Sequence, residues 1–502
     1  MSFNLFELHK KEEDLFPESW IGFKGRNINK IINRVVTEII TNKKNYSYYK
    51  ISQEISHKEN ICVNAVFRYL KKSNFIPIPI ILSLLDIWKK TLNKNLNEIN
   101  NLRELILKNV EFLRVNNSSS REIIAIDDLN EDLCYIAGAH AADGMVSLHL
   151  TFSSKNKEEL IEFLDNLSKK IPNLNFTKLY LDRPKKYFNI GLTLNTSLNK
   201  NISSILFEDD LIKSREIRLK KEYRWKLEEE YESALISLCD KISTCFGLEF
   251  VIKKSIHNSW VIQSKNKLLV RYLVELFNFP YGKKSRIVDE PRVIKNSQLP
   301  LRKSFFMGVM TFDGCVTKNA TITLQSYSLN LIRSFNNVLG LSKIKSITGK
   351  TNRGSYFIES SDNKNELKKW IDFVDLDTIK GKKLNGFLNG FKQKVNSEEE
   401  AIKNLSSIFD LSNTKLTIKD NFHIIKSLSI FTITDYCNFV DRGYNKLITK
   451  SLARANIKLF ERCYILKRQN KAKYFIRSNS TKGATLVNYY SFNPNFEDWR
   501  VI

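Results

Sequence analysis

Apolar positions between Asn27 and Trp88 repeat with a helical period. Ile31, Ile32, Val35, Val36, Ile39 and Ile40 fall on one stripe and predict a helix. The pattern then predicts a helix over Tyr49–Ile55, a polar break at Ser56–Asn60, a helix over Val63–Leu70 and a third after Pro79. Residues 1–20 read as an irregular lead-in. Residues 90–130 read as a helix and then a linker, with Asn116–Ser120 the clearest break. Between 130 and 390, helical and strand periods alternate. Val146, Leu148, Leu150 and Phe152 alternate with Ser, His and Thr, the signature of a half-buried strand, and 320–324 repeats it. From Asn396 short helices lead to two strand-like runs, Cys463–Arg468 and Lys473–Arg477. A turn at Gln469–Ala472 would join them as a hairpin.

Composition narrows the class. At 502 residues the chain has room for roughly three domains of about 150 each. Hydrophobic residues make up 42%, ordinary for a folded protein, and 17 Gly with 9 Pro exclude collagen-like and Pro/Gly-rich linker chains. Against 54 Asp and Glu stand 80 Lys and Arg. The net charge of +26 favours a nucleic acid partner over a membrane surface. The longest apolar stretch, Phe75–Leu85, is broken by Pro77 and Pro79 and is too short to span a bilayer, so no membrane segment is expected. The 7 cysteines form no CxxC pair and no zinc-ligand pattern, which reads as reduced thiols in an intracellular protein of cytoplasm or nucleoid. No apolar signal core opens the chain, and Glu7, Glu12, Glu13 and Asp14 argue against a transit peptide.

One long-period repeat changes the picture. The segments Tyr135–Gly144 and Phe305–Gly314 are both largely apolar. Each has one interior glycine, Gly138 or Gly308, and ends in Asp-Gly, at Asp143-Gly144 and Asp313-Gly314. Each is followed by a strand pattern and an amphipathic helix, over 157–167 and 329–339. An interior glycine costs a helix about 1 kcal/mol, so these two point to another backbone passing very close. The aspartates fall in the last turn, where the helix dipole disfavours a carboxylate, and the following glycine suits a left-handed cap. If helices 133–143 and 303–313 pack through their glycines, two carboxylates meet and repel unless a divalent cation sits between them. A core helix closed by an Asp-Gly turn explains one copy. Two copies with matched spacing, in a chain this basic, favour the metal site.

The motifs Ile136–Gly144 and Phe306–Gly314 resemble those of the LAGLIDADG homing endonucleases, in the form with both motifs in one chain. The run Gly282-Lys283-Lys284-Ser285, followed by Glu290-Pro291, is similar to the family's Gly-x-Lys-Ser…Pro segment. His140, Ala141 and Phe312 depart from the family's usual residues. The resemblance covers about 130–390. It implies an α+β fold of two pseudo-symmetric αββαββα half-domains, whose saddle-shaped antiparallel sheets lie in the DNA major groove. It implies cleavage of double-stranded DNA at a long, non-palindromic site by a monomer. The cofactor would be Mg²⁺, two or three ions shared by Asp143 and Asp313 with Gly144 and Gly314 completing the metal site. Lys284 is the implied catalytic cation of the first half, and Lys383, preferred to Lys382, that of the second. Lys283, Arg286 and Gln325 would contact DNA, as would the exposed faces of 146–152, 186–195, 251–264 and 320–326. The aspartates are further apart than is usual in the family, which predicts an insertion over 165–225, around the charged run Phe207–Glu232.

Two flanking modules complete the expected organisation. Residues 1–125 hold a helix-turn-helix-like module, its small core formed by Ile51, Ile55, Ala65, Val66 and Leu70. Asn64, Arg68, Lys71 and Lys72 would face outward on its second helix. The first half-domain spans 126–300 and the second 301–395. Residues 396–502 resemble a winged helix, with Lys446, Lys450 and Arg454 on a recognition helix over Tyr444–Ala455 and the hairpin 463–477 as the wing. Two further readings share the basic surface: a non-catalytic DNA-binding regulator, and an RNA maturase that assists splicing of a host intron. The Met-Ser start and an end lacking His-Asn argue against a self-splicing protein.

Overall fold

The computed structural model describes the chain apart from residues 1–2, 9–19, 116–120, 171–175, 177–178, 183–186, 195–216, 257, 281, 283, 318–319, 361–363, 390–392, 410–415, 477–481 and 502. The break expected at Asn116–Ser120 lies outside the described residues. The fold is mixed α and β with antiparallel sheets, in two compact units, Met1–Phe312 and Asp313–Ile502.

The first unit opens with a short 3-10 turn, Leu5–Leu8, then β1 (Ile21–Lys24) and α1 (Ile28–Asn42). Helices α2 (Tyr48–Glu59) and α3 (Val63–Lys72) follow, then β2 (Phe75–Pro77), α4 (Ile78–Leu92), α5 (Leu96–Leu107), β3 (Phe112–Val115) and β4 (Ile123–Ile124). Ile32, Val35, Val36 and Ile39 are buried on α1, while Ile31 and Ile40 are half-buried at the stripe's margins. Ser47 caps α2 by accepting from Lys50 N at 3.2 Å, and Asn60 breaks it in the left-handed region at φ 53. The helix therefore runs through Ser56–Glu59, further than its apolar pattern indicates.

Two sequence expectations are corrected here. The lead-in is not irregular throughout: Phe3, Leu5, Phe6 and Leu8 are buried, and Phe3 stacks edge-on against Phe277 at 5.4 Å. The stretch read as a linker carries β3 and β4, which join a four-stranded sheet of order β2-β1-β3-β4. Ile21 opposite Val115 and Phe23 opposite Leu113 are all buried. Strands of four residues or fewer are too short to show a period, so pairing across some ninety positions forms them.

Helix α6 (Glu131–Asp143) leads into a six-stranded sheet of order β6-β7-β5-β8-β10-β9. Its strands are β5 (Met145–Ser154), β6 (Tyr180–Asp182), β7 (Tyr187–Leu194), β8 (Arg218–Glu229), β9 (Lys253–Lys254) and β10 (Trp260–Ser264). Helix α7 (Lys157–Lys170) follows β5, α8 (Glu232–Phe246) packs on α6, and α9 (Leu299–Phe312) closes the unit. Within the expected insertion, β6, β7 and β8 are integral strands. β8 pairs with β5 along its length, Met145 opposite Lys226 through Ser153 opposite Arg218. Tyr223, Trp225 and Leu227 are its buried face, so the charged run is a half-buried strand.

The second unit begins with a four-stranded sheet of order β11-β12-β14-β13, built from β11 (Gly314–Val316), β12 (Ile322–Ser326), β13 (Ser346–Lys350) and β14 (Tyr356–Ser360). Helix α10 (Leu329–Leu341) covers β12 and β14, and α11 (Ile379–Asn389) packs on β11. After β15 (Gln393–Lys394) and α12 (Glu398–Ile408) the order is α13 (Ile418–Leu428), β16 (Ile430–Phe431), α14 (Ile433–Tyr444), α15 (Lys450–Arg462), β17 (Leu466–Ile476) and β18 (Lys482–Phe492). Sheet order is β16-β18-β17. The expected recognition helix is thus two elements: Lys446 lies in the loop between α14 and α15, with Asn445 capping α14 in the left-handed region. The expected turn at Gln469–Ala472 is inside β17, whose register with β18 is unbroken from Leu466–Phe492 to Ile476–Lys482.

The chain's last strand, β19 (Arg500–Val501), pairs with β15 and carries Trp499 into the core. Trp499 is 1% exposed, stacks edge-on against Phe422 at 5.3 Å and donates Nε1–H to the Asn493 carbonyl at 3.0 Å. Replacing it by alanine removes both interactions. We expect Trp499→Ala to lower the unfolding free energy of this unit by about 3–5 kcal/mol in urea titration. A loss below about 1 kcal/mol would exclude the strand from the core.

Candidate functional site

The two Asp-Gly helices are α6 and α9, and both are buried nearly all round, as expected of helices packed on every side. They touch backbone to backbone. A Cβ on Gly138 would collide with the Phe305 carbonyl and lie 3.0 Å from Val309 N. A Cβ on Gly308 would collide with the Tyr135 carbonyl and lie 2.9 Å from Ala139 N. The contacts are reciprocal: each glycine meets the residue three before and one after the other glycine. Only a residue without a side chain fits either place.

The glycines after the aspartates have a different role from the one expected. Gly144 sits at φ −70 and ψ 143, extended rather than left-handed, and Gly314 is absent from the positive-φ glycines of the described residues, which are Gly247, Gly282 and Gly354. The chain turns straight from helix into strand at both motifs. Gly144 is needed for space, because a Cβ there would lie 2.6 Å from the His140 Cα and collide with its ring.

His140 belongs to the core. It is fully buried, its Nδ1 accepts from Trp225 Nε1–H at 3.1 Å, and its ring stands edge-on to Phe279 at 4.7 Å. The neutral ring's proton is then on Nε2, which has no partner among the described residues. Burial holds its pKa well below the usual imidazole range, and the Lys284 ammonium adds to the effect. The bond ties the middle of α6 to β8.

Asp143 ends α6 and is exposed; Asp313, at the head of the second unit, is half-buried. Asp143 and Phe312, the last residue of α9, line one open concavity of about 530 Å³ with Asn258 and Ser259. Three more carboxylates, Glu228, Glu229 and Glu230, line it too. Sequence reasoning missed them, since they close a strand assigned to the insertion. Glu228 accepts from Lys226 Nζ at 2.6 Å and from Ser259, which lowers its pKa. Glu229 accepts from the backbone N–H of Glu230 at 3.0 Å. No group of three His, Cys, Asp or Glu is arranged to hold a metal among the described residues. Mg²⁺ does not require one, because it is commonly held by one or two carboxylates, substrate phosphate and water. The hard oxygen donors here suit it.

Lys284 reaches the same end of α6. It is 8% exposed and donates Nζ–H to the Ala142 carbonyl at 2.6 Å, while Gly282 N–H donates to the Val146 carbonyl at 2.8 Å. Gly282 has φ 76, so the loop can make that close approach. The loop's far end is anchored by a buried pair, Glu290 accepting from Arg302 Nε and Nη2 at 2.7 Å each. Lys283 lies outside the described residues, and Arg286 is exposed in the following turn. In the second unit, Lys383 is buried on α11 with Nζ 5.3 Å from the Phe409 ring centroid, whereas Lys382 is exposed. Gln325 is exposed on β12 and donates to Ser355 Oγ at 2.5 Å.

On α3, Asn64, Arg68, Lys71 and Lys72 are exposed, with Ile51, Ile55, Val66 and Leu70 buried beneath and Ala65 half-buried. On α15, Lys450, Arg454 and Lys458 are exposed on one face, and Lys446 is half-buried in the preceding loop. All seven cysteines are free, and no helix among the described residues is long and apolar enough to cross a membrane.

The glycine contact yields a direct test. Alanine gains about 1 kcal/mol of helix propensity over glycine, but here its methyl meets a carbonyl. Gly138→Ala and Gly308→Ala are each expected to destabilise the first unit by about 1–3 kcal/mol net in urea titration. A neutral or stabilising result would show that the helices do not touch.

No protein-family model matches the chain, and no curated protein matches it. Among solved structures it is similar to I-DmoI in complex with DNA and manganese, at 12% identity over 31% of this chain and 83% of that one, TM-score 0.25. A variant of I-DmoI with its target DNA and manganese gives 13% identity, 31% and 80% coverage and the same score. Mesophilic variants from the homing endonuclease I-DmoI give 12%, 31% and 76%, again at 0.25. A score of 0.25 does not establish a common fold.

Proposed function

We propose that the chain is a sequence-specific, divalent-metal-dependent endonuclease of the LAGLIDADG kind, acting on double-stranded DNA. The carrying observation is the reciprocal glycine contact between α6 and α9, which brings Asp143 and the residue preceding Asp313 to one concavity. In this reading Asp143 and Asp313, with the backbone at Gly144 and Gly314, hold Mg²⁺. The ion, when bound, would supply an activated water and charge neutralisation at the phosphate. Lys284, pinned to the last turn of α6, presents a preorganised cation to the scissile phosphate. Lys383 is its proposed counterpart in the second half. The open faces of the six-stranded sheet and of the four-stranded sheet β11-β12-β14-β13 would each lie in the major groove, with Arg286 and Lys283 on the flanking phosphates.

The flanking elements supply further grip. The order α13-β16-α14-α15-β17-β18 is that of a winged helix, which supports α15 as a groove-facing helix and the β17–β18 ribbon as its wing. The α2–α3 pair, turned between Asn60 and Cys62, supports a helix-turn-helix with Asn64, Arg68, Lys71 and Lys72 toward DNA.

Asp143→Asn and Asp313→Asn each remove one carboxylate charge and keep its shape. Both are expected to slow double-strand cleavage by on the order of a hundred-fold or more, the scale associated with removing one charge-stabilising group, while specific binding in gel shift persists. Wild-type-like cutting by both variants refutes the assigned centre. A parent that binds one DNA site tightly but never cuts it with Mg²⁺ is a regulator, and one that prefers its own intron RNA is a maturase.

Replacing Lys450, Arg454 and Lys458 by alanine should weaken DNA binding. It should also flatten the dependence on log[salt] by roughly one unit for each phosphate that is no longer neutralised. An unchanged slope in a salt titration removes α15 from the interface.

A further inference from the structure

The six-stranded sheet of the first unit and the four-stranded sheet of the second differ in what their open faces present. In the first unit Val146, Trp225, Leu227 and Ile262 are buried on one face. Residues paired directly across strands share a face, so Ser147 with Arg224, His149 with Glu222 and Gln263 with Lys226 lie on the other. Around Glu222 and Glu228 the charges come in opposite pairs, while Lys220 opposite Thr151, Arg218 opposite Ser153 and Lys253 opposite Val261 add positions on the same face. Glu222 accepts from Arg224 Nε at 2.5 Å and from Lys265 Nζ at 3.0 Å, and Glu228 accepts from Lys226 Nζ at 2.6 Å. The Arg224 and Lys226 side chains are 40% and 39% exposed.

In the second unit Ile322, Leu324 and Ile358 are buried, and the open face carries Cys315, Thr323, Glu359 and Ile347 in one paired row. Gln325, Phe357 and Gly349 form the next. Ile347 is 57% exposed, and the Phe357 ring lies over Gly349, where a Cβ would come 2.5 Å from its Cζ. No position in these two rows holds a lysine or arginine.

Base edges discriminate between such faces. Guanine offers two acceptors to an arginine or lysine, and the cytosine opposite offers an amino donor to a carboxylate. Alternating Arg or Lys with Glu therefore matches G·C pairs. The carboxylates of Glu222 and Glu228 beside Arg224 and Lys226 also repel phosphate, which suits that part of the face to base edges. Adenine pairs its amino group and N7 with a glutamine amide, and the thymine methyl packs on apolar side chains such as Ile347 and Phe357. Glu359 alone on that face suits a cytosine.

We propose that the target is split in composition: the half read by the first sheet is rich in G·C pairs and the half read by the second is rich in A·T pairs. Arg224 and Gln325 are the principal discriminating side chains. The proposal rests on the reading that both sheets face DNA.

The test is repeated selection of the full chain, without divalent cation, on a random double-stranded DNA library, followed by sequencing of the bound fraction. The expected site holds one G·C-rich block and one A·T-rich block. Arg224→Ala should relax the G·C block alone, lowering preference roughly ten- to hundred-fold at the position it reads, and Gln325→Ala should relax the A·T block alone. Both side chains stand on open faces, so neither change disturbs a core. An enriched site with blocks of equal composition overturns the split but leaves DNA reading intact. A variant that relaxes the opposite block overturns the residue assignment. Failure of the parent to enrich any sequence overturns DNA reading and the split with it.

Discussion

The closeness of α6 and α9 governs the rest of the first unit. Two helices whose backbones touch cannot accommodate a methyl group between them, so their separation and their relative slide are set at Gly138 and Gly308. Because each glycine meets the same two neighbours of the other, the ends of the helices are matched as well. Asp143 and Phe312 reach one concavity as a consequence. Side-chain packing alone leaves more freedom, since methylenes can adopt other rotamers, whereas carbonyl oxygens on a helix cannot move aside.

Around that contact the structure immobilises the Lys284 side chain and the loop that carries it. Lys284 is held by the end of α6, and its loop is tied to β5 by Gly282 and to α9 by Glu290 with Arg302. The Glu290 carboxyl is raised by burial while Arg302 draws it back, so this pair locates the loop more than it stabilises the fold. His140 does comparable work nearby, where its neutral ring accepts from Trp225 and occupies the space that Gly144 leaves open.

Legibility in the sequence follows the range of the interactions. The stripe of α1, the alternation of β5 and the paired interior glycines are local patterns, and each appears at its expected place. The Gly-x-Lys run was picked out only by its resemblance to the family's segment; the positive φ at Gly282 appears in the structure alone. Elements made by distant partners were not legible. β1 to β4 have two to four residues each, and nothing in Ile123–Ile124 foretells Phe112 and Leu113 opposite them. β8 hid because its open face is as charged as a solvated linker, although Tyr223, Trp225 and Leu227 kept the period. Glu228 to Glu230 were hidden with it. The polar run 469–472 looked like a turn because it has no apolar period, and only its pairing with β18 shows a strand. Gly144 was misassigned for a related reason: Asp-Gly at a helix end suggests a cap, and only the His140 ring behind it reveals a steric demand.

The order in which the first unit is made has its own consequence. Helix α6 is apolar nearly all round, and its surface at Gly138 packs against α9, the last element of that unit. On the ribosome α6 therefore emerges, and the six strands between it and α9 are synthesised, before its partner exists. Until Phe312 has left the exit tunnel, an oily helix waits for a contact far along the chain, and contacts of that separation form late. An apolar helix left uncovered over that interval is the part of this unit most open to misassociation before α9 arrives.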